Sequence, residues 1–127
     1  ITLIVGGSFG AGNYGMCGRA YNPKFLWTWP SSKISVMGGE QAANVLSELK
    51  KINARKKGQT WNDKIEKKFH QNIVDQFEEQ SHPLFASARL WDDGIIDPIE
   101  TRRILALSIE ISMSQKIKDS KFGLFRM

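Results

Sequence analysis

Residues 1–5, Ile-Thr-Leu-Ile-Val, form an extended apolar run rich in β-branched side chains, the pattern of a buried strand. A second strand is expected at residues 25–29, Phe-Leu-Trp-Thr-Trp, and a third at residues 34–37, closed by Gly38-Gly39. The period then changes. Ala42, Val45, Leu46 and Leu49 follow three-four spacing, with Ile52 continuing the stripe, which predicts a helix over residues 40–55. Glu40 suits the positive end of that helix. Ile65, Phe69, Ile73 and Phe77 recur every four residues on a charged background and predict a second helix over residues 61–80. Asp97-Pro98-Ile99-Glu100 predicts a third, with Asp97 as cap, Pro98 at the first position and Glu100 closing a capping-box-like arrangement. It should run to about residue 115, with Ile104, Leu105, Leu107, Ile109 and Ile111 giving a wide apolar face. Residues 118–127 end in Phe-Gly-Leu-Phe-Arg-Met and are expected to pack. The order is that of an α/β protein with small ββα-like units. No internal repeat interrupts it.

Between the first two strands lies residues 6–18, Gly-Gly-Ser-Phe-Gly-Ala-Gly-Asn-Tyr-Gly-Met-Cys-Gly, in which six residues are glycine. A strand therefore enters a glycine-rich turn, and a short helix is expected near residues 13–21, stopped by Asn22-Pro23. Gly10, Gly12 and Gly15 satisfy a dinucleotide-binding spacing, but Pro23 and Pro30 leave no room for the crossover helix that such a unit requires. A phosphate loop would need Gly-Lys-Ser/Thr where Asn13-Tyr14 stands. The remaining reading is an oxyanion site. A helix beginning after Gly10-Ala11-Gly12 presents unpaired backbone N–H groups that converge on one spot. Such donors need no side-chain acid or base, and no catalytic triad or carboxylate dyad shows in the sequence.

Composition narrows the alternatives. Charged residues make up 24% and the hydrophobic share is 41%, ordinary for a globular domain, and no apolar run is long enough to cross a bilayer. The net charge of +5 rests largely on Lys50, Lys51, Arg55, Lys56, Lys57, Lys64, Lys67 and Lys68. A solvated face explains these better than nucleic-acid binding, because aromatic interleaving is confined to Trp61 and Phe69. One cysteine excludes an internal disulfide, and Cys17 is expected to be packed and inert. Two histidines and one cysteine lack the paired spacing of a zinc site, so no metal is expected. Ile1 already stands inside a strand, so the chain is expected to be part of a longer protein.

Residues 6–21, Trp29-Pro30, residues 34–43 (Ile-Ser-Val-Met-Gly-Gly-Glu-Gln-Ala-Ala), residues 87–98 (Ser-Ala-Arg-Leu-Trp-Asp-Asp-Gly-Ile-Ile-Asp-Pro) and the ending Phe-Gly-Leu-Phe-Arg-Met together resemble the carboxyltransferase subunits of biotin-dependent acyl-CoA carboxylases. The resemblance is weakest over residues 50–80. It implies a crotonase-like α/β fold, a superhelix of ββα units. Residues 1–127 would be the C-terminal portion of the carboxyltransferase C-domain, with a basic helical insertion near residues 50–80. It implies CO2 transfer from carboxybiotin to an acyl-CoA, with 3-methylcrotonoyl-CoA of leucine degradation favoured over geranyl- and propionyl-CoA. The biotin would be carried by a biotin-containing alpha subunit, and other copies of the beta subunit would complete a hexamer. By position, the backbone N–H groups of Ala11 and Gly12 would hold the oxyanion of biotin. Phe9, Gly10, Asn13, Tyr14, Gly38 and Gly39 would bind biotin or substrate. The compartment would be the mitochondrial matrix in a eukaryote and the cytoplasm in a bacterium. The fragment alone should be inactive. A non-catalytic assembly domain on the same fold is the alternative from another class.

Overall fold

The computed structural model describes residues 1–116, so the packing expected of residues 118–127 lies outside the described residues. Five short strands form two parallel sheets. β1 (Thr2–Ile4), β3 (Leu26–Thr28) and β5 (Gly94–Ile95) make one, in the order β1-β3-β5. β2 (Gly7–Phe9) and β4 (Lys33–Ser35) make the other. Thr2 pairs with Leu26 and Gly7 with Lys33, so each of the first two passages of the chain lays one strand in each sheet before entering a helix, and the third adds β5 to the first sheet alone. Parallel pairing needs such crossovers. They are α1 (Gly10–Gly15) after β2 and α2 (Gly39–Lys56) with α3 (Asp63–Ser81) and α4 (Pro83–Ser87) after β4. After β5 comes a 3-10 turn, Pro98–Glu100, and then α5 (Thr101–Met113). This is the expected ββα arrangement.

Two expectations change. The Gly7–Phe9 segment is not part of the turn, because it is the strand β2. The helix begins at Gly10 rather than near Asn13. Asp97 caps as predicted, its Oδ1 accepting from the Ile99 N–H at 3.0 Å, but it opens a 3-10 turn. Glu100 reaches forward to Arg103 instead of back to the cap.

The buried interior is small: Ile4, Leu26, Ala42, Ala43, Ala54, Ala86 and Ile96. Leu26, fully buried on the central strand, anchors it. Trp27 and Trp29 leave the other face of β3 and fasten α5. Trp27 Nε1 donates to Ser108 Oγ at 3.0 Å, and Trp29 Nε1 donates to Thr101 Oγ1 at 3.0 Å. A buried indole N–H is costly without an acceptor, so these two bonds explain why α5 turns a serine inward.

Candidate functional site

Phe9 ends β2 in an extended conformation (φ −124°, ψ 138°) and stands at the cap of α1 without any side-chain capping bond. The first turn of α1 is therefore Gly10, Ala11 and Gly12. No side chain among the described residues accepts from their N–H groups, and helix geometry gives such early donors no intrahelical carbonyl. Ala11 and Gly12 are both exposed. A Cβ built on Gly12 would meet nothing within 4 Å. Gly10 differs: its φ is +51°, and a Cβ there would stand 2.9 Å from the carbonyl oxygen of Val36. Glycine is thus required at Gly10 for the helix to start hard against the end of β4.

α1 is braced from behind. Asn13 Nδ2 donates to Ser8 Oγ at 2.9 Å, and the Asn13 carbonyl accepts from the Gly18 N–H at 2.8 Å. A Cβ on Gly18 would fall 2.0 Å from Asn13 Oδ1. The Asn13 side chain is therefore committed to holding the turn. Cys17 is a correction. It is exposed, not packed, because the chain turns through the left-handed region there (φ +60°). Its carbonyl is held by the Thr2 hydroxyl at 2.7 Å.

In front of α1 opens a cleft of about 360 Å³. Gly10, Asn13 and Tyr14 of α1 line it together with Val36, Phe85 and Trp91. Phe85 and Trp91 meet edge to face, their centroids 6.0 Å apart. Tyr14 is the only ionisable side chain among the described residues that line it. The polar groups this site offers are main-chain amides and neutral side chains in an aromatic frame.

Of the residues singled out from sequence, Phe9, Gly10, Ala11, Gly12, Asn13 and Tyr14 are brought together as the end of β2 and the start of α1. Only Gly10, Asn13 and Tyr14 of these line the cleft; Phe9, Ala11, Gly12, Gly38 and Gly39 do not. Gly38 caps α2, its carbonyl accepting from the Ala42 N–H at 3.0 Å, and Gly39 lets α3 approach, with Phe77 Cβ 3.3 Å from where its own Cβ would lie. Phe85 and Trp91 were missed. Trp91 stands immediately before an Asp-Asp-Gly turn, and an aromatic residue held at a turn was the available signal. Among the described residues no group of three or more His, Cys, Asp or Glu could hold a metal ion.

Residues 1–125 match the carboxyl transferase domain family. The chain is 54% identical over 129 residues to the mitochondrial methylcrotonoyl-CoA carboxylase beta chain of Dictyostelium discoideum, covering all of this chain and 22% of that protein. It is 47% identical to the biotin-dependent 3-methylcrotonyl-coenzyme A carboxylase beta1 subunit of Mycobacterium tuberculosis, covering all of this chain and 24% of that one. Among solved structures, the beta subunit of P. aeruginosa geranyl-CoA carboxylase superposes with a TM-score of 0.78 at 37% identity, over 99% of this chain and 24% of that subunit. The chain thus spans less than a quarter of the length of these relatives, and the crotonase-like α/β fold expected from the resemblance is the one it shares with carboxyltransferase subunits.

Proposed function

The chain belongs to the carboxyl transferase domain family, and from that premise we propose that it forms part of the C-terminal half of the carboxyltransferase subunit of a biotin-dependent acyl-CoA carboxylase. The acyl acceptor in this reading is 3-methylcrotonoyl-CoA. Identity is higher to the methylcrotonoyl-CoA relatives, 54% and 47%, than to the geranyl-CoA subunit, 37%. The whole subunit would work beside a biotin-bearing alpha subunit and further copies of itself, assembled as a hexamer.

The residues present fit a biotin ring. The cleft in front of α1 is walled by Tyr14, Phe85 and Trp91, which suit a flat apolar bicycle. Gly10, which opens α1, lines the cleft, and Ala11 and Gly12 follow in the same exposed first turn, so their N–H groups would suit a ureido oxygen. Bound biotin would supply a ureido group able to carry and release CO2, the chemistry belonging to the cofactor rather than to the protein. The chain's own part is electrostatic. The N–H groups of Ala11 and Gly12 donate to an oxygen that becomes negative, and they are fixed before the reaction by the helix they open. Gly10 sets where that helix starts, through its tight approach to Val36. Asn13 keeps the turn from yielding, through Ser8 and Gly18. No proton has to be moved by a side chain of this cleft.

The observation that carries this reading is a helix whose exposed, side-chain-poor first turn begins at Gly10, on the wall of an aromatic cleft. Its test is Gly12→Val in the complete carboxylase. The fold has open space at Gly12, so the variant should assemble and melt like the wild type. Its bulk would shield the adjoining donors, and removal of one such donor costs about 100-fold to 1,000-fold in turnover. Wild-type-like carboxyl transfer by that variant would overturn the assignment.

A further inference from the structure

We propose that Arg19 is a positioning residue that fixes the spacing between the α1 wall of the cleft and the Trp91 wall; this rests on the reading of the cleft given above. Arg19 opens the 3-10 turn Arg19–Tyr21 that follows α1. Its guanidinium spans a sequence distance of more than seventy residues in two directions at once. Nε donates to the Trp91 carbonyl at 3.0 Å, and one terminal nitrogen donates to Asp93 Oδ2 at 3.2 Å. The same Oδ2 accepts from the Leu26 N–H at 2.7 Å, and the Asp93 N–H returns a bond to the Leu26 carbonyl at 2.8 Å. Asp93 is therefore pinned to the central strand, and Arg19 is pinned to Asp93.

On its other side Arg19 is tied to α1. The Gly18 N–H binds the Asn13 carbonyl, and the Tyr14 and Tyr21 rings meet edge to face at 6.0 Å. The chain of contacts runs from α1 through Arg19 to Trp91, which lines the same cleft as Tyr14 and Gly10. The two side chains of the ion pair are each 35% exposed, so the pair adds little as a surface salt bridge. Its value is geometric. Only the planar fork of arginine reaches a carbonyl and a carboxylate together, and lysine supplies a single point.

The test runs the complete carboxylase in reverse without ATP, the carboxylated acyl-CoA giving its carboxyl group to free biotin and leaving as the acyl-CoA, and compares Arg19→Met with wild type. A small displacement between the walls should weaken the fit of the ring and leave the thioester contacts alone. The expected result is a KM for free biotin raised at least about fivefold, a KM for the carboxylated acyl-CoA within about twofold, and faster amide hydrogen exchange across residues 13–22. A general loss of folded enzyme would lower kcat and leave both KM values unchanged. Asp93→Asn is the matched control, since it keeps an oxygen for both the Leu26 N–H and Arg19 and removes only the charge; its biotin KM should stay within about twofold of wild type. A biotin KM unchanged in Arg19→Met, or moved equally with the carboxylated acyl-CoA KM, or raised as much by Asp93→Asn, overturns the proposal. Gly12→Val measured in parallel separates the two ideas. If it destroys transfer while Arg19→Met leaves biotin KM alone, only the role of Arg19 fails; if it leaves transfer intact, the reading of the amides fails.

Discussion

Gly10 and Gly12 stand two residues apart and have opposite physical demands. At Gly10 a side chain meets both a positive φ and a backbone oxygen 2.9 Å away. At Gly12 it meets open space. Gly10→Ala should therefore destabilise the fold by about 1–3 kcal/mol, the combined cost of left-handed strain and a displaced β4 terminus. Gly12→Ala should leave stability unchanged or raise it slightly, since alanine is the better helix former. Thermal melts of the two variants test this, and equal effects would show that the first turn is not seated as described. The sequence marked the glycine run as the centre of the site. It could not say which glycine serves the backbone and which serves the ligand, because that depends on Val36, which reaches Gly10 only through the β2-β4 pairing. Gly7 illustrates the same limit: a Cβ there would lie 2.6 Å from the Phe9 ring, a constraint set by the folding back of one side chain.

Elements follow the apolar pattern where a strand is β-branched and fail to follow it where glycine or small residues decide. β1 and β3 were legible from Ile, Val, Trp and Thr content; β2, written Gly-Ser-Phe, was not, because nothing in three such residues announces a ladder. α2 and α3 lie where the spacing placed them, but α2 does not bury the expected stripe. Val45, Leu46, Leu49 and Ile52 are exposed, while Ala42, Ala43, Ser47 and Ala54 are buried. Small side chains let two helices approach closely, as Gly39 does against Phe77. The far end of this hairpin is closed by charge. Glu66 accepts from Trp61 Nε1 at 3.0 Å and pairs with Lys51 at 3.1 Å. The Lys51 ammonium first, and the Trp61 indole second, hold the Glu66 carboxyl below its ordinary value of 4.5. A lowered carboxylate contributes stability that is complete above that ordinary value and is lost as pH falls through the folded one. Glu66→Gln should consequently lower stability slightly near neutrality, where the contribution is complete, and flatten the fall below about pH 4.5. Denaturant midpoints from pH 3 to 7 would show it; an unaltered acid limb would mean that the pair is loose in solution.

The molecule as a whole is better read from what it leaves uncovered. Leu107, Ile109, Ile111 and Met113 on α5, Leu49 on α2, Val36 beside the cleft and Leu90 before the Asp-Asp turn are all exposed, Val36 at 77% and Leu90 at 84%. Few monomers of this size show apolar area on so many faces without a use for it. The wide apolar face foreseen on α5 exists, but the described residues cover only part of it: Ser108 is buried, Ile104 and Leu105 are half-buried, and the rest faces outward. The curated relatives are more than four times longer, since this chain covers 22% to 24% of them. If the further length of those relatives packs on such faces, the 127 residues by themselves should associate as concentration rises, and a charged substitution such as Leu107→Glu should reverse this. Sedimentation velocity over a hundredfold concentration range measures both. The same chain, given carboxybiotin and an acyl-CoA, should show no carboxylation, because it spans under a quarter of the relatives named for that reaction. A monomer that stays monomeric at every concentration would mean that the exposed side chains are ordinary surface, and measurable turnover would mean that the cleft before α1 is sufficient for chemistry without the rest of the subunit.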